Sequence, residues 1–154
     1  MPRNGWAGKI LFVDLSSGEA HAEPLNMDWA HLLVGGHGLA ARLGLDLFKP
    51  GVDPLSPDNP IILTAGPLVG TMTPGGTKTT VLTKSVSCGF VAPGAVGSAF
   101  GPNLKNSGYD GLVITGASDK PVYLEILDDQ VKILDATHLW GKKDIYETTD
   151  ELWG

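Results

Sequence analysis

The stretch from Ala65 to Gly116, AGPLVGTMTPGGTKTTVLTKSVSCGFVAPGAVGSAFGPNLKNSGYDGLVITG, constrains this chain's fold more than any other part. Its glycines before Tyr109 follow neither the period of a helix nor that of a strand. Glycine gives up more conformational entropy on folding than any other residue. A run this rich in it implies tight turns, or a large flat ligand approached by main chain. Side chains with chemistry are few: one cysteine, no histidine and no carboxylate before Asp110. The stretch is suited to holding a ligand rather than reacting with it.

At 154 residues the chain is one domain's worth and can bury a real core. Hydrophobic residues at 42% against 18% charged place it among ordered globular proteins, while 21 glycines and 11 prolines give turns an unusual share. A net charge of -6 disfavours nucleic acid, which is bound by basic patches. An anionic ligand must therefore find local donors, such as backbone N–H groups or Lys78 and Lys84. Cys88 stands alone, so it makes no internal disulfide and supplies no iron–sulfur or structural zinc ligand set. In the opening MPRNGWAGKILFVDL, Asp14 interrupts a short apolar run, unlike a secretory leader. No segment approaches the roughly 20 apolar residues of a membrane span. The expectation is a cytoplasmic protein with neither membrane nor nucleic-acid partners.

Lys9 to Leu15 has the pattern of a buried strand, and Ser16-Ser17-Gly18 then turns the chain into Glu19 to Pro24, predicting a hairpin with one wet edge. Asn26 is placed to cap a short helix, with Asp28 in its first turn and Gly35-Gly36 ending it. Leu39, Leu43 and Leu47 predict a second helix from Leu39 to Phe48, with His37 between the two as a structural turn residue. Pro50 to Pro60 cannot be regular structure. Strands follow at Ile61 to Thr64 and Thr77 to Thr83, and Ser98 is read as the cap of a short helix through Lys105, ended by Gly108. Gly111 to Thr115, Val122 to Leu127 and Val131 to Leu134 predict a three-stranded meander. Asp144 to Trp153 starts an amphipathic helix whose apolar residues are Ile145, Leu152 and Trp153. Strands and helices do not alternate as βαβ units, so the predicted class is α+β with mixed or antiparallel sheet.

Gly75-Gly76 before Thr77 has two readings: half of a phosphate-binding turn, or a tight turn entering a strand. No G-x-G-x-x-G or Walker pattern is present. Ser85, Ser87 and Cys88 are nucleophile types with no neighbouring His or Asp in sequence. Asp53, Asp58, Asp128 and Asp129 sit in turn contexts, where Asp bonds its own backbone. His21, His31 and His138 lack ligand-like spacing.

Seven motifs in order then resemble one family. They are Gly5-Trp6 with KILFVDLSSG, VGGHGLAARL, VDPLSPDNPIILTAGPLVGT, TPGGTKTTVLTKS, VGSAFGPNLKNSGYDGLVITGAS, KPVYLEI and DATHLWGK. Together they cover nearly the whole chain, which resembles the N-terminal domain of the aldehyde ferredoxin oxidoreductase family of tungsten or molybdenum bis-pterin enzymes. The resemblance implies a domain of two similar α+β halves that forms a platform for tungstopterin or molybdopterin, with residues 1–154 belonging to it. By match to the family's glycine turn, Gly75, Gly76, Thr77 and Lys78 would lie against one pterin. Ala95, Val96, Gly97 and Ser98 would match a second contact, with the Ala95 backbone carbonyl holding the magnesium that bridges the pterin phosphates.

The resemblance also implies an oxidoreductase acting on aldehydes or related carbonyl compounds, in anaerobic metabolism, with a ferredoxin-like electron carrier. A 4Fe-4S cluster would belong to the complete enzyme and would not be ligated by this chain. The remaining domains or a separate subunit would be needed, the chain alone would be inactive, and a homo-oligomer is compatible. The unfinished final helix points the same way and predicts an exposed apolar face. Two departures bear on the cluster side: Thr77 stands where the family commonly has arginine, and the family's usual asparagine near Ala95 is missing. The alternative is a scaffold or cofactor-handling subunit of the same ancestry without catalysis of its own.

Overall fold

The computed structural model describes residues 5–153 and is α+β; the first four residues of the segment read for a leader lie outside it. β1 (Lys9–Asp14) and β2 (Glu19–Pro24) form the expected hairpin, and β2 is exposed along its length. Asn26 Oδ1 accepts from the N–H of Asp28 at 2.9 Å and of Trp29 at 3.2 Å, capping α1 (Met27–Leu33). α2 runs His37–Leu47, so it begins two residues earlier than the leucine spacing indicates, and His37 is its first residue rather than a linker between helices.

The remaining elements are β3 (Ile61–Ala65), β4 (Thr79–Lys84), β5 (Val91–Val96), α3 (Phe100–Asn106), β6 (Gly111–Thr115), β7 (Val122–Leu127), β8 (Gln130–Asp135) and α4 (Ile145–Trp153). Six strands make one sheet in the order β2-β1-β6-β3-β4-β5, in which only β1 and β6 run parallel. Among the described residues, β7 and β8 form a separate two-stranded ribbon.

The predicted meander is therefore corrected. β6 lies between β1 and β3 in the large sheet, not beside β7. Gly111, Leu112 and Val113 are all buried, so this strand needs partners on both edges. The connection from Gly116 to Pro121 is longer than the two-residue turn of a tight hairpin.

The sheet's two faces bury different clusters. On one, Leu39, Ala40 and Leu43 of α2 and Ala30 of α1 pack on Ile10, Ile62, Leu82 and Val113. On the other, Leu104 of α3 and the ribbon residues Leu124, Ile126, Val131 and Ile133 pack on Leu11, Val13 and Leu112. Each fully buried aliphatic, such as Ile62 or Val113, contributes about 1.5–3 kcal/mol by leaving water. α4 buries none of its residues, and Ile145, Tyr146 and Trp153 are largely exposed, as the expected apolar face requires.

Three further expectations change. β5 (VAPGAV) is a strand the glycine-rich reading treats as irregular; Pro93 and Gly94 disguise it, and both are tolerated because it is the sheet's edge. β4 starts at Thr79, because Thr77 N–H folds back to Gly75 O at 2.8 Å and holds Thr77 in the preceding loop. Ser98 does not cap α3: the cap is Ala99, without a side-chain bond, and Ser98 has a positive φ of 68°.

Candidate functional site

The β4–β5 hairpin brings together the two segments singled out in the sequence. Thr79 lies opposite Val96 and Thr80 opposite Ala95, so residues 75–78 and 97–98 leave the hairpin at the same end of the sheet although some 20 residues separate them. Ser85 N–H donates to Phe90 O at 2.9 Å. Two-residue alternation along β5 then turns the backbone groups of Ala92, Gly94 and Val96 toward β4, and those of Val91, Pro93 and Ala95 toward the open edge. The Ala95 carbonyl is thus a main-chain acceptor directed out of the sheet.

The loop before β4 is closed on itself. Gly70 N–H donates to Gly76 O at 2.9 Å, Gly76 N–H to Thr73 O at 3.0 Å, and Thr71 Oγ1 to Leu68 O at 2.7 Å. Its two glycines are glycine for different reasons. A Cβ on Gly76 would stand 2.5 Å from Leu68 O and 3.0 Å from Thr73 O, so the chain's own carbonyls demand a small residue there. Gly75 has φ of 77° and nothing within 4 Å of its Cβ position; it is left-handed and faces open space. The tight-turn reading therefore accounts for Gly76, while Gly75 stays available to a ligand. Thr77 and Lys78 are exposed, and Lys78 makes no hydrogen bond or ion pair among the described residues. Lys84, the other candidate anion donor, is occupied: its Nζ donates to Val52 O beneath the proline-rich loop.

On the neighbouring side, Gly97, Ser98 and Ala99 lead into α3, with Ser98 left-handed and Ala99 right-handed helical. Successive backbone N–H groups in such a pair form a concavity for anions. Val96, Gly97 and Ser98 also line one end of a groove of about 980 Å³ between α3, β7 and α4, closed by Leu127 and Trp153. Gly75 to Lys78 and Ala95 lie outside that groove. Beneath the junction, Thr79 Oγ1 is buried without a partner among the described residues, and a Cβ on Gly101 would collide with it.

The other candidates stay apart. Ser85 Oγ and Ser87 Oγ are 2.9 Å from each other, with Cys88 exposed beside them, and no histidine or carboxylate completes a nucleophile. A backbone hydrogen bond at Phe90, and then the Ser85 side chain, hold the Cys88 thiol pKa below the ordinary cysteine value. Asp53 bonds the Leu55 N–H, Asp58 pairs with Lys49, His21 stacks on Phe12 and His138 faces Glu151. Among the described residues no three His, Cys, Asp or Glu side chains gather as a metal site, and no helix is long and apolar enough to cross a membrane.

Sequence reasoning misses Asp110 as a structural centre. Its fully buried carboxylate accepts from Ala7 N–H at 3.0 Å, Gly8 N–H at 2.6 Å and Lys105 Nζ at 2.7 Å, and Lys105 also reaches Gly5 O. This ties the start of β1 to the last turn of α3. The only signal in the sequence is a lone Asp between a tyrosine and a buried strand.

Residues 10–154 match the family described as aldehyde ferredoxin oxidoreductase, N-terminal domain. The chain is 44% identical over 136 residues to the tungsten-containing aldehyde ferredoxin oxidoreductase of Pyrococcus furiosus, covering 88% of this chain and 22% of that protein. With the enzyme of the same description from Thermococcus kodakarensis it shares 46% over 135 residues, again 88% and 22%. With the aliphatic sulfonate oxidoreductase, WOR-like subunit, of Pyrococcus furiosus the identity is 37% over 148 residues, 92% and 23%. Among solved structures, the active site complex BamBC of benzoyl coenzyme A reductase with 1,5-dienoyl-CoA superimposes with a TM-score of 0.91 at 36% identity, covering 97% of this chain and 23% of the other. The chain thus spans under a quarter of the length of these relatives. It belongs to the aldehyde ferredoxin oxidoreductase family, whose N-terminal domain it matches.

Proposed function

We propose that this chain is the pterin-binding part of a tungsten or molybdenum oxidoreductase acting on aldehydes or related carbonyl compounds, with a ferredoxin-like acceptor. The observation that carries the reading is the outward-facing Ala95 carbonyl at the sheet edge, beside the turn at residues 75–78. A magnesium ion takes oxygen ligands, and a backbone carbonyl free of the ladder is one. Lys78, unpaired among the described residues, is a cation at the same end of the sheet, suited to a phosphate. Gly75 leaves its surface bare for a flat ring to approach. The Ser98–Ala99 concavity offers N–H donors to an anion.

The residues therefore fit a phosphate-bearing pterin bridged by magnesium. The group, when bound, supplies two-electron chemistry at its metal. This chain's residues bind and orient it: Ala95 supplies an oxygen to the magnesium, Lys78 neutralises phosphate charge, and Gly75 and Gly97 permit close approach. Thr77 offers a hydroxyl where an arginine fork would reach further. The cluster and substrate groups would come from outside this chain, and the cell compartment would be the cytoplasm.

The test is Lys78→Ala in the complex that contains this chain, with tungsten, molybdenum and pterin content measured beside the melting temperature. Lys78 is exposed and unpaired, so the fold should be unmoved and the cofactor content should fall. Full content in the variant would contradict the reading.

A further inference from the structure

We propose that His37 is a further binding residue of this site, donating from Nε2 to an oxyanion of the ligand, of the phosphate class. The inference rests on the reading above and adds to it a side chain that sequence reasoning takes for a turn residue.

α2 starts at the same end of the sheet as the candidate segments. Gly36 N–H donates to Ala65 O at 3.3 Å, and Thr64 Oγ1 donates to Gly36 O at 2.8 Å. Ala65 ends β3 and lies opposite Thr79, the first residue of β4. The next residue, Thr80, is paired with Ala95, and its Oγ1 is 3.1 Å from His37 Nδ1. Directly opposed residues on antiparallel strands have Cβ atoms about 4.5–5.5 Å apart. The His37 ring is therefore held on the strand position next to the outward Ala95 carbonyl.

Burial divides the ring's two nitrogens. Thr80 is 5% exposed, and among the described residues Nδ1 is the only partner of its hydroxyl. In the tautomer in which Nδ1 accepts the hydroxyl proton, which satisfies the buried Thr80 O–H, the ring carries its own proton on Nε2 and Nε2 is a donor. The His37 side chain is exposed, and among the described residues nothing accepts from Nε2. Backbone ahead of the ring is held in an uncommon conformation: Val34 has φ of 67°, braced by Trp6 Nε1–H donating to Val34 O at 2.9 Å and by its own N–H donating to Ala30 O at 2.9 Å. The result is a ring on a fixed support, held at the strand position two residues beyond Lys78.

A purely structural role, in which His37 only satisfies Thr80, makes a different prediction. Asn places a polar atom where Nδ1 stands, and Gln places one where Nε2 stands. The full chain, labelled with 13C and 15N, is titrated with magnesium pyrophosphate, following the His37 ring, the Lys78 side chain and the Ala95 carbonyl. The expected result is that all three shift together. His37→Asn should weaken binding by about tenfold, the worth of a hydrogen bond to a charged group, at an unchanged melting temperature. His37→Gln should keep most of the affinity.

If Ala95 and Lys78 shift while the His37 ring does not, or if His37→Asn binds as tightly as the parent, the inference falls and the pterin reading stands. If none of the three shifts, both fall. Should His37→Asn fail to fold, the ring signals of the unmodified chain decide the matter alone.

Discussion

Replacing Asp110 with asparagine should unfold this chain more effectively than any conservative change on its surface. The carboxylate is fully buried and holds three donors, two of them backbone N–H groups of Ala7 and Gly8 and the third the Lys105 ammonium. Asparagine keeps the shape but must turn an NH₂ toward at least one of those donors, and it leaves the Lys105 charge, 9% exposed, without a counterion. Removing one partner of a buried pair costs about 3–5 kcal/mol, a large share of the roughly 5–15 kcal/mol by which domains are stable. Lys105→Met should cost less, because Asp110 keeps its two backbone donors. The double variant should lose less than the sum of the two, with a coupling of about 0.5–3 kcal/mol. Urea unfolding at pH 7, followed by circular dichroism, measures all three. With an m value of about 1–3 kcal/mol/M, the Asp110→Asn midpoint should fall by about 1 M or more. A loss within about 1 kcal/mol, or strictly additive single variants, would refute the view that this pair locks the start of β1 to α3.

Gly76→Ala should cost about 1–3 kcal/mol, because its Cβ meets the Leu68 carbonyl at 2.5 Å. Gly75→Ala should cost about 1–2 kcal/mol from its positive φ alone, and thermal melts that find Gly76→Ala neutral would remove the close-approach account. Cys88 should alkylate with a pH midpoint below that of a free cysteine thiol, since a backbone hydrogen bond at Phe90 and the Ser85 side chain favour its thiolate. Ser85→Ala should move that midpoint up, and an iodoacetamide rate profile with its midpoint at or above the free-thiol value would contradict this.

Much of the fold is legible because its strands obey simple rules. KILFVD and GLVIT are β-branched or apolar runs bounded by turn residues, and Asn26 announces α1 by its capping chemistry. What is not legible is long-range. Nothing local in Gly111 to Thr115 says that it enters the large sheet between β1 and β3, some 100 and 50 residues away, rather than beside β7. β5 is hidden by Pro93 and Gly94, whose tolerance depends on an edge position that only the assembled sheet defines. The same hairpin register brings Lys78 and Ala95 together, so the site's two halves are visible in sequence but their meeting is not. His37 shows the converse: its neighbours suggest a turn, and the role proposed for it depends on Thr80, a residue 43 positions away.

The proposed cofactor role would explain why so little side-chain chemistry is needed here. A chain that positions a phosphate-bearing cofactor works largely through backbone carbonyls, N–H groups and one or two cations, and most of these are invisible to a search for catalytic side chains. Gly76 is required by the chain's own packing, whereas Gly75 faces open space, where the proposed ligand would approach.

The central claim is that the sheet edge at Ala95 holds the magnesium of a pterin cofactor. A crystal structure of the loaded complex containing this chain measures it directly, as the distance from the Ala95 carbonyl oxygen to the nearest magnesium. The account predicts about 2.0–2.1 Å, the span of a direct magnesium–oxygen bond, with the Lys78 ammonium against a phosphate. A magnesium bound elsewhere with the Ala95 carbonyl facing solvent, or a cofactor that leaves this edge of the sheet uncovered, would contradict it.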